Sequence, residues 1–233
     1  MYNYNMKLSQ KHPKELSDYF HTFNSDNIQY YESLNYFLDK IKNIPGCIIE
    51  CGIGRGRSLV AISHLIFKLN IKKNFFALDS FEGFDFISDY DKSFRNPKKG
   101  QWSKSPNQKI SYDIKFIKKV LKFHLHKKNK INIEFIKGYV EKTLPKLKKK
   151  IHKISFINCD VDLYNGHKAV LENLWNKLSV NGIIYFDDVY FKDKKRLAFP
   201  GAKKAVIDFF KTKKNYKKLI CPFRKILVII KTY

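Results

Sequence analysis

Four aspartates close two apolar runs of this chain: Asp160 and Asp162 follow KISFINC as Asp-Val-Asp, and Asp187-Asp188 follow GIIYF. If both runs are strands of one parallel sheet, the carboxylates converge at its carboxyl edge, where such folds bind ligands. Four negative charges gathered there repel one another. A hard divalent cation such as Mg²⁺, held by carboxylate oxygens and water, resolves the conflict. Loop capping, or pairing with Lys192, Lys194 and Lys195 close by in sequence, would resolve it without an ion. A metal beside a carboxylate lowers the pKa of a bound hydroxyl and supplies a base for its proton.

A second set of residues has the character of a cofactor cradle. Gly52, Gly54 and Gly56 follow the strand-like run CIIEC and precede an amphipathic run. Glycines allow a sharp turn and a close approach of ligand to main chain, and a helix that starts there offers free N–H groups to an anion. Asp79, with Ser80 beside it, arrives about 25 residues after the glycines at the end of the next apolar run. An acidic side chain at that place accepts hydrogen bonds from both hydroxyls of a ribose, in nicotinamide and S-adenosylmethionine sites alike. A turn cap is the structural alternative for Asp79.

These residues need strands and helices in alternation to hold them. Up to about residue 45 the spacing of Ile28, Tyr31, Leu34, Phe37, Leu38 and Ile41 predicts a helical cap, ended by Pro45-Gly46. Strands are expected at 47–52, 74–80, 131–138, 153–160 and 182–188, with helices near 57–69, 107–126, 141–149, 166–178 and 202–212. The helix near 107–126 should bury Ile110, Ile114, Ile117, Leu121 and Leu125. Strand and helix in alternation imply a parallel sheet covered on both faces. The last two runs, YKKLICPF and KILVIIKTY, have too little chain between them for a crossover and should pair as an antiparallel hairpin. A mostly parallel, seven-stranded α/β sheet ending in such a hairpin is the Rossmann-like class I methyltransferase arrangement. The stretch 81–106 has no periodicity and is long for a connection, which makes it a candidate substrate lid.

Composition bounds the reading further. With 233 residues and 44% apolar content, the expectation is one methyltransferase-sized domain over 1–233. No run of about 18 apolar residues occurs and the first residues are too polar for a signal peptide, so a cytoplasmic protein with no membrane span is expected. Cys47, Cys51, Cys159 and Cys221 lie in or beside apolar runs without CxxC spacing, as reduced, buried thiols would. The net charge is +25, and residues 91–153 hold 20 Lys/Arg against 4 Asp/Glu. Anionic partners fit that charge, yet the accompanying wealth of Lys, Asn and Ile is also what a codon bias would produce. No RGG-type tract or aromatic single-strand motif is present, and nucleic acid is not expected as a partner.

With those residues identified, the sequence resembles the macrocin O-methyltransferase family, which methylates sugar hydroxyls in antibiotic biosynthesis. The matching segments are 44–56 (IPGCIIECGIGRG), 78–83 (LDSFEG), 137–145 (KGYVEKTLP), 160–164 (DVDLY), 182–188 (GIIYFDD) and 201–206 (GAKKAV), in the family's order. The resemblance implies an S-adenosylmethionine-dependent, metal-assisted O-methyltransferase whose acceptor is a sugar or an anionic sugar derivative. Glu50, Gly52, Gly54, Gly56 and Ser58 would surround the methionine part of the cofactor, Asp79 and Ser80 its ribose, and Gly138 and Tyr139 its adenine. Asp160, Asp187 and Asp188 would be the Mg²⁺ ligands and Asp162 the general base. Two departures touch the acceptor: Asn165-Gly166-His167 stands where the family usually has Glu-Ser-Thr, and 81–106 has no counterpart. His167 is expected at an exposed first-turn helix position, with a second base or acceptor contact as the alternative. Lys98, Lys99 and Lys104 would supply counter-charge to a phosphorylated or acidic acceptor. A nucleic-acid-binding module on a methyltransferase scaffold, and a nicotinamide oxidoreductase, are the competing classes; a homo-oligomer is compatible with all of them.

Overall fold

The computed structural model describes residues 25–125, 131–190 and 198–233. Seven strands form one sheet: β1 (Cys47–Cys51), β2 (Phe75–Asp79), β3 (Ile133–Lys137), β4 (Ile154–Cys159), β5 (Leu178–Tyr190), β6 (Tyr216–Ile220) and β7 (Ile226–Lys231). Their spatial order is β3-β2-β1-β4-β5-β7-β6. The first five run parallel, whereas β7 pairs antiparallel with both β5 and β6. From β1 the chain works outward through β2 and β3, then returns to lay β4 on the other side of β1. That reversal opens a crevice beyond the carboxyl ends of β1 and β4, the place where open α/β sheets take ligands.

Among the described residues six helices cover the sheet: α1 (Ser25–Ile41), α2 (Arg57–Lys68), α3 (Ile114–His124), α4 (Val140–Lys150), α5 (Tyr164–Leu174) and α6 (Pro200–Phe210). Strand pleating sends alternate side chains to opposite faces and so builds two cores. Ile49, Ile157, Ile184 and Phe186 pack with α4, α5 and α6. Ile48, Phe156, Ile183 and Tyr185 pack with α1, α2 and α3. Because both faces are buried, the central strands read in sequence as unbroken apolar runs. All four cysteines are buried free thiols.

Three expectations change in detail. The buried face of α1 is Tyr30, Leu34, Phe37, Leu38 and Ile41, while Ile28 is 43% exposed. Tyr30 displaces Ile28 because it packs against Tyr185 of the sheet, with ring centroids 6.3 Å apart. Residues before 25 lie outside the described residues. The helix expected from 107 begins only at Ile114, since 105–110 form a turn in which Ser105 N–H donates to the Ile110 carbonyl. The Asp113 side chain then caps the helix, accepting from Phe116 N–H at 2.8 Å, and leaves Ile110 outside it. Strand β5 is longer than 182–188, as Leu178 pairs with Ile154 and Tyr190 with Ile226. Among the described residues no helix is long and apolar enough to cross a membrane.

The segment 81–106 is an internally bonded loop. Phe84 and Gly100 or Gln101 exchange backbone hydrogen bonds across its neck. The buried Asp91 accepts from Ser88 N–H and Oγ and from the N–H of Tyr164 at the start of α5. Ser93 Oγ donates to the Ala198 carbonyl at 2.7 Å, tying the loop to the chain ahead of α6.

Candidate active site

A cavity of about 680 Å³ opens at the carboxyl edge of the sheet, walled by the glycine loop, the start of α4, the Asp-Val-Asp segment, Asp187-Asp188 and the 81–106 loop. Of the residues singled out from sequence, Gly52, Gly54, Ser58, Asp79, Ser80, Tyr139, Asp160, Asp162, Asp187 and Asp188 line it. Glu50, Gly56 and Gly138 are not among its lining residues.

The loop after β1 is held at both sides. Gly52 N–H donates to Leu78 and Asp160 N–H to Cys51, each at 2.9 Å, so the ends of β1, β2 and β4 are stitched together. Gly52 has φ +88, and a Cβ there would run into the Asp160 carbonyl, so no other residue fits this turn. Asp79 Oδ2 accepts from Ile53 N–H at 2.7 Å and Gly54 N–H at 3.0 Å, and Oδ1 from Phe81 N–H at 2.6 Å. Asp79 thus shapes the cradle itself, and of the roughly four lone-pair sites on its carboxylate about one is left for a ribose hydroxyl. Burial raises its pKa despite those three donors. Ser80 turns the chain, donating from Oγ to the Gly83 carbonyl at 3.1 Å.

Glu50 is fully buried beneath the loop, opposite Asn158 in the β1–β4 register. Its Oε1 accepts from Asn158 Nδ2 at 3.2 Å, the Ser58 side chain also favours its ionised form, and Oε2 makes no close hydrogen bond among the described residues. Burial pushes its pKa up to about 8. A buried carboxylate oxygen without a close hydrogen bond, next to a glycine cradle, suits a cofactor that carries positive charge at that point.

The carboxylates meet as expected. Asp160 lies one residue beyond the last β1–β4 pair, and Asp187 one residue beyond the last β4–β5 pair. Asp160, Asp187 and Asp188 each offer an oxygen within 4.8 Å of the others, a spacing that fits one hard cation. Asp162 adopts a left-handed backbone, φ 57, and its N–H donates to Asp188 Oδ2 at 3.0 Å. Burial, then the neighbouring carboxylates, hold Asp160, Asp162 and Asp188 well above the usual carboxylate range.

Sequence reasoning missed the cations. Arg57, Arg95 and Arg224 also line the cavity, and Asp187 is ion-paired with Arg224. Arg57 eases the charge on Asp160, and Arg95 that on Asp162. Compensation by Lys192, Lys194 and Lys195 falls outside the described residues. Lys98 and Lys104 are exposed and do not line the cavity, and Lys99 pairs with Asp85 at 3.4 Å. Phe84, Phe86, Trp102, Tyr190 and Phe199 complete the wall with apolar surface. Arg57 had a signal, following directly on the glycine-rich segment at the start of α2; Arg95 and Arg224 had none, since only the folded loop and hairpin bring them here.

His167 corrects the expectation of an exposed residue. It is fully buried, stacked on Phe186 with centroids 6.0 Å apart, and Nδ1 lies 3.1 Å from the Leu163 carbonyl. Burial lowers its pKa to about 4, so it is a neutral core histidine, and it does not line the cavity. The α5 face that carries it turns toward the sheet.

The family model for macrocin O-methyltransferase matches residues 31–226. The chain belongs to this family. It is therefore an O-methyltransferase. Among solved structures, the calicheamicin methyltransferase CalS11 is 21% identical with a TM-score of 0.71, over 88% of this chain and 79% of that chain. The O-methyltransferase NovP is 18% identical with a TM-score of 0.67, over 88% of this chain and 80% of that chain. A methyltransferase from Podospora anserina, PaMTH1, crystallised with SAH, is 16% identical with a TM-score of 0.52, over 94% of this chain and 92% of that chain. At these identities the likeness is one of fold. No curated protein sequence matches the chain.

Proposed function

We propose that this family member transfers the methyl group of S-adenosylmethionine to a hydroxyl of a sugar or a glycoside, in a cytoplasmic reaction assisted by a divalent metal. The observation that carries the reading is the convergence of Asp160, Asp162, Asp187 and Asp188 on the cavity that the glycine loop and Asp79 also line. Such a cavity, about 680 Å³, has room for a cofactor and a sugar side by side. Membership of a family named for macrocin supports a sugar acceptor, as does the likeness in fold to CalS11, which is a TDP-rhamnose 3'-O-methyltransferase.

In this reading the main chain of the glycine loop and Ser58 surround the methionine part of the cofactor, with Glu50 beneath. Asp79 and Ser80 meet the ribose, and Gly138 and Tyr139 border the adenine. Asp160, Asp187 and Asp188 would hold the metal. A bound divalent cation would lower the pKa of an acceptor hydroxyl, which is otherwise hardly ionised at neutral pH. Asp162, which lines the cavity and is tied through its N–H to Asp188, takes the hydroxyl proton. The 81–106 loop covers the acceptor and, with Phe84, Phe199 and Tyr190, keeps water from the reacting oxygen.

Arg95 favours a second version in which the acceptor sugar carries a phosphoryl or carboxyl group. It is exposed, lines the cavity beside Asp162, and lies 5.4 Å over the Phe199 ring. Chelation of the metal, or Asp188→Ala, should abolish turnover while SAH binding, followed by calorimetry, survives. Full turnover in excess chelator would remove the metal from the mechanism.

A further inference from the structure

Arg224 sits between β6 and β7, far in sequence from every motif of the site, yet its guanidinium ends among the carboxylates. The residue is buried, and Nη1 is ion-paired with Oδ1 of Asp187. Nη1 also donates to the Tyr185 hydroxyl at 3.2 Å and Nη2 to the Tyr190 hydroxyl at 3.4 Å. The Tyr185 hydroxyl is fixed in turn by Ser33 Oγ of α1 at 2.8 Å. The guanidinium carbon lies 4.5 Å from the centroid of the Tyr30 ring, which the Arg57 guanidinium also covers at 4.7 Å. Helix, strand and hairpin therefore hold this one side chain in a single orientation.

Asp187 needs such a partner. It shares a cluster with two other carboxylates, each of which repels it, and it faces an open cavity into which its side chain could turn. A planar guanidinium whose other N–H groups are taken by the Tyr185 and Tyr190 hydroxyls presents its Nη1–H to one oxygen of Asp187 in a fixed direction, as a rotating ammonium would not. We propose that Arg224 is a positioning residue: by holding Oδ1 of Asp187 it keeps the other oxygen directed at Asp160 and Asp188, and so sets the affinity of the three-aspartate cluster for a divalent cation. This rests on the metal-assisted reading above. The charge of Arg224 opposes a cation, but the ion pair with Asp187 lies between them, and loss of the pair frees one of only three carboxylate ligands. Positioning outweighs repulsion on that account, and an outer-shell partner of a metal ligand is commonly worth about 10–100-fold in affinity.

The test uses Mn²⁺ as probe, with free ion followed by electron paramagnetic resonance in the presence of SAH, and SAH affinity measured separately by calorimetry. Arg224→Gln should weaken Mn²⁺ binding by about tenfold or more, while SAH affinity stays within about twofold of the parent. Arg224→Lys keeps the charge without the fork and should recover only part of the loss. Tyr185→Phe removes one anchor of the guanidinium and should cost about threefold, giving a readout if Arg224→Gln does not fold. Unchanged or tighter Mn²⁺ binding by a folded Arg224→Gln protein would overturn the proposal, the tighter case making Arg224 a competitor for Asp187. Full recovery in Arg224→Lys would overturn the role of the fork. A parent protein that binds SAH but no Mn²⁺ would instead remove the metal reading, and this proposal with it.

Discussion

Replacing Glu50 with Gln isolates the energetic consequence of burying an ionisable carboxyl beneath the cofactor loop. Burial moves its pKa from 4.5 to about 8, so the folded protein retains a proton that the unfolded chain gives up above pH 4.5. Stability should then fall with rising pH by about 1.4 kcal/mol per pH unit between about pH 4.5 and pH 8, and level off beyond. Gln carries no such proton. At pH 7 the accumulated difference is about 3 kcal/mol, on top of a pH-independent offset from the exchanged amide, which amounts to a relative shift in Tm of about 6–12 °C for a chain of this length. Thermal or urea unfolding of both proteins at several pH values between 4 and 9 measures it. The Tm of Glu50→Gln should gain on the parent across that window. Calorimetry adds a second readout: a cofactor with positive charge at this point favours ionised Glu50, so SAH binding at pH 7 should release close to one proton, and none in Glu50→Gln. A stability difference that stays flat from pH 4 to 9 would show that Glu50 does not hold its proton in the folded protein.

Two further outcomes follow from the same geometry. Asp162→Asn should lower kcat by about 10²–10⁴ with little change in SAH affinity, read by steady-state kinetics and calorimetry together. Gly52→Ala forces a Cβ against the Asp160 carbonyl at positive φ, so SAH affinity should fall at least about tenfold and Tm should drop, since the strained turn costs about 1–3 kcal/mol before any displacement of β4.

The sheet was legible because each strand stands out as a short apolar run, and because the two last runs leave no room for a crossover. Carboxylates one residue past such runs could be placed at the edge from strand direction alone, and Asp160, Asp187 and Asp188 do meet. Side-chain direction along a helix was harder. His167 stands in the first turn of α5, where exposure is common, but Phe186 lies beneath it and the ring stacks there. Tyr30 replaces Ile28 on the buried face of α1 because its partners, Tyr185 of β5 and Arg224 of the β6–β7 turn, come from more than 150 residues away. The same distance hid Arg224. Charge compensation in a site is a sum over elements that only the fold brings together, and a reading along the chain looks first to neighbours such as Lys192, Lys194 and Lys195. The 81–106 loop had no periodicity to read, as its order rests on single contacts such as Asp91 with Tyr164 and Ser93 with Ala198.

The roles proposed for the cradle and the carboxylates converge on methyl transfer to a sugar hydroxyl, which can be followed with an isotopically labelled methyl group on S-adenosylmethionine. The protein, incubated with Mg²⁺ and a panel of nucleotide-linked sugars and glycosides, should give a labelled methyl ether located by mass spectrometry and NMR, at a rate that Asp162→Asn reduces by about 10²-fold or more. Label recovered only on nitrogen, or on a carboxylate as an ester, or an ether formed equally fast by Asp162→Asn, would be incompatible with a sugar O-methyltransferase that uses Asp162 as its base.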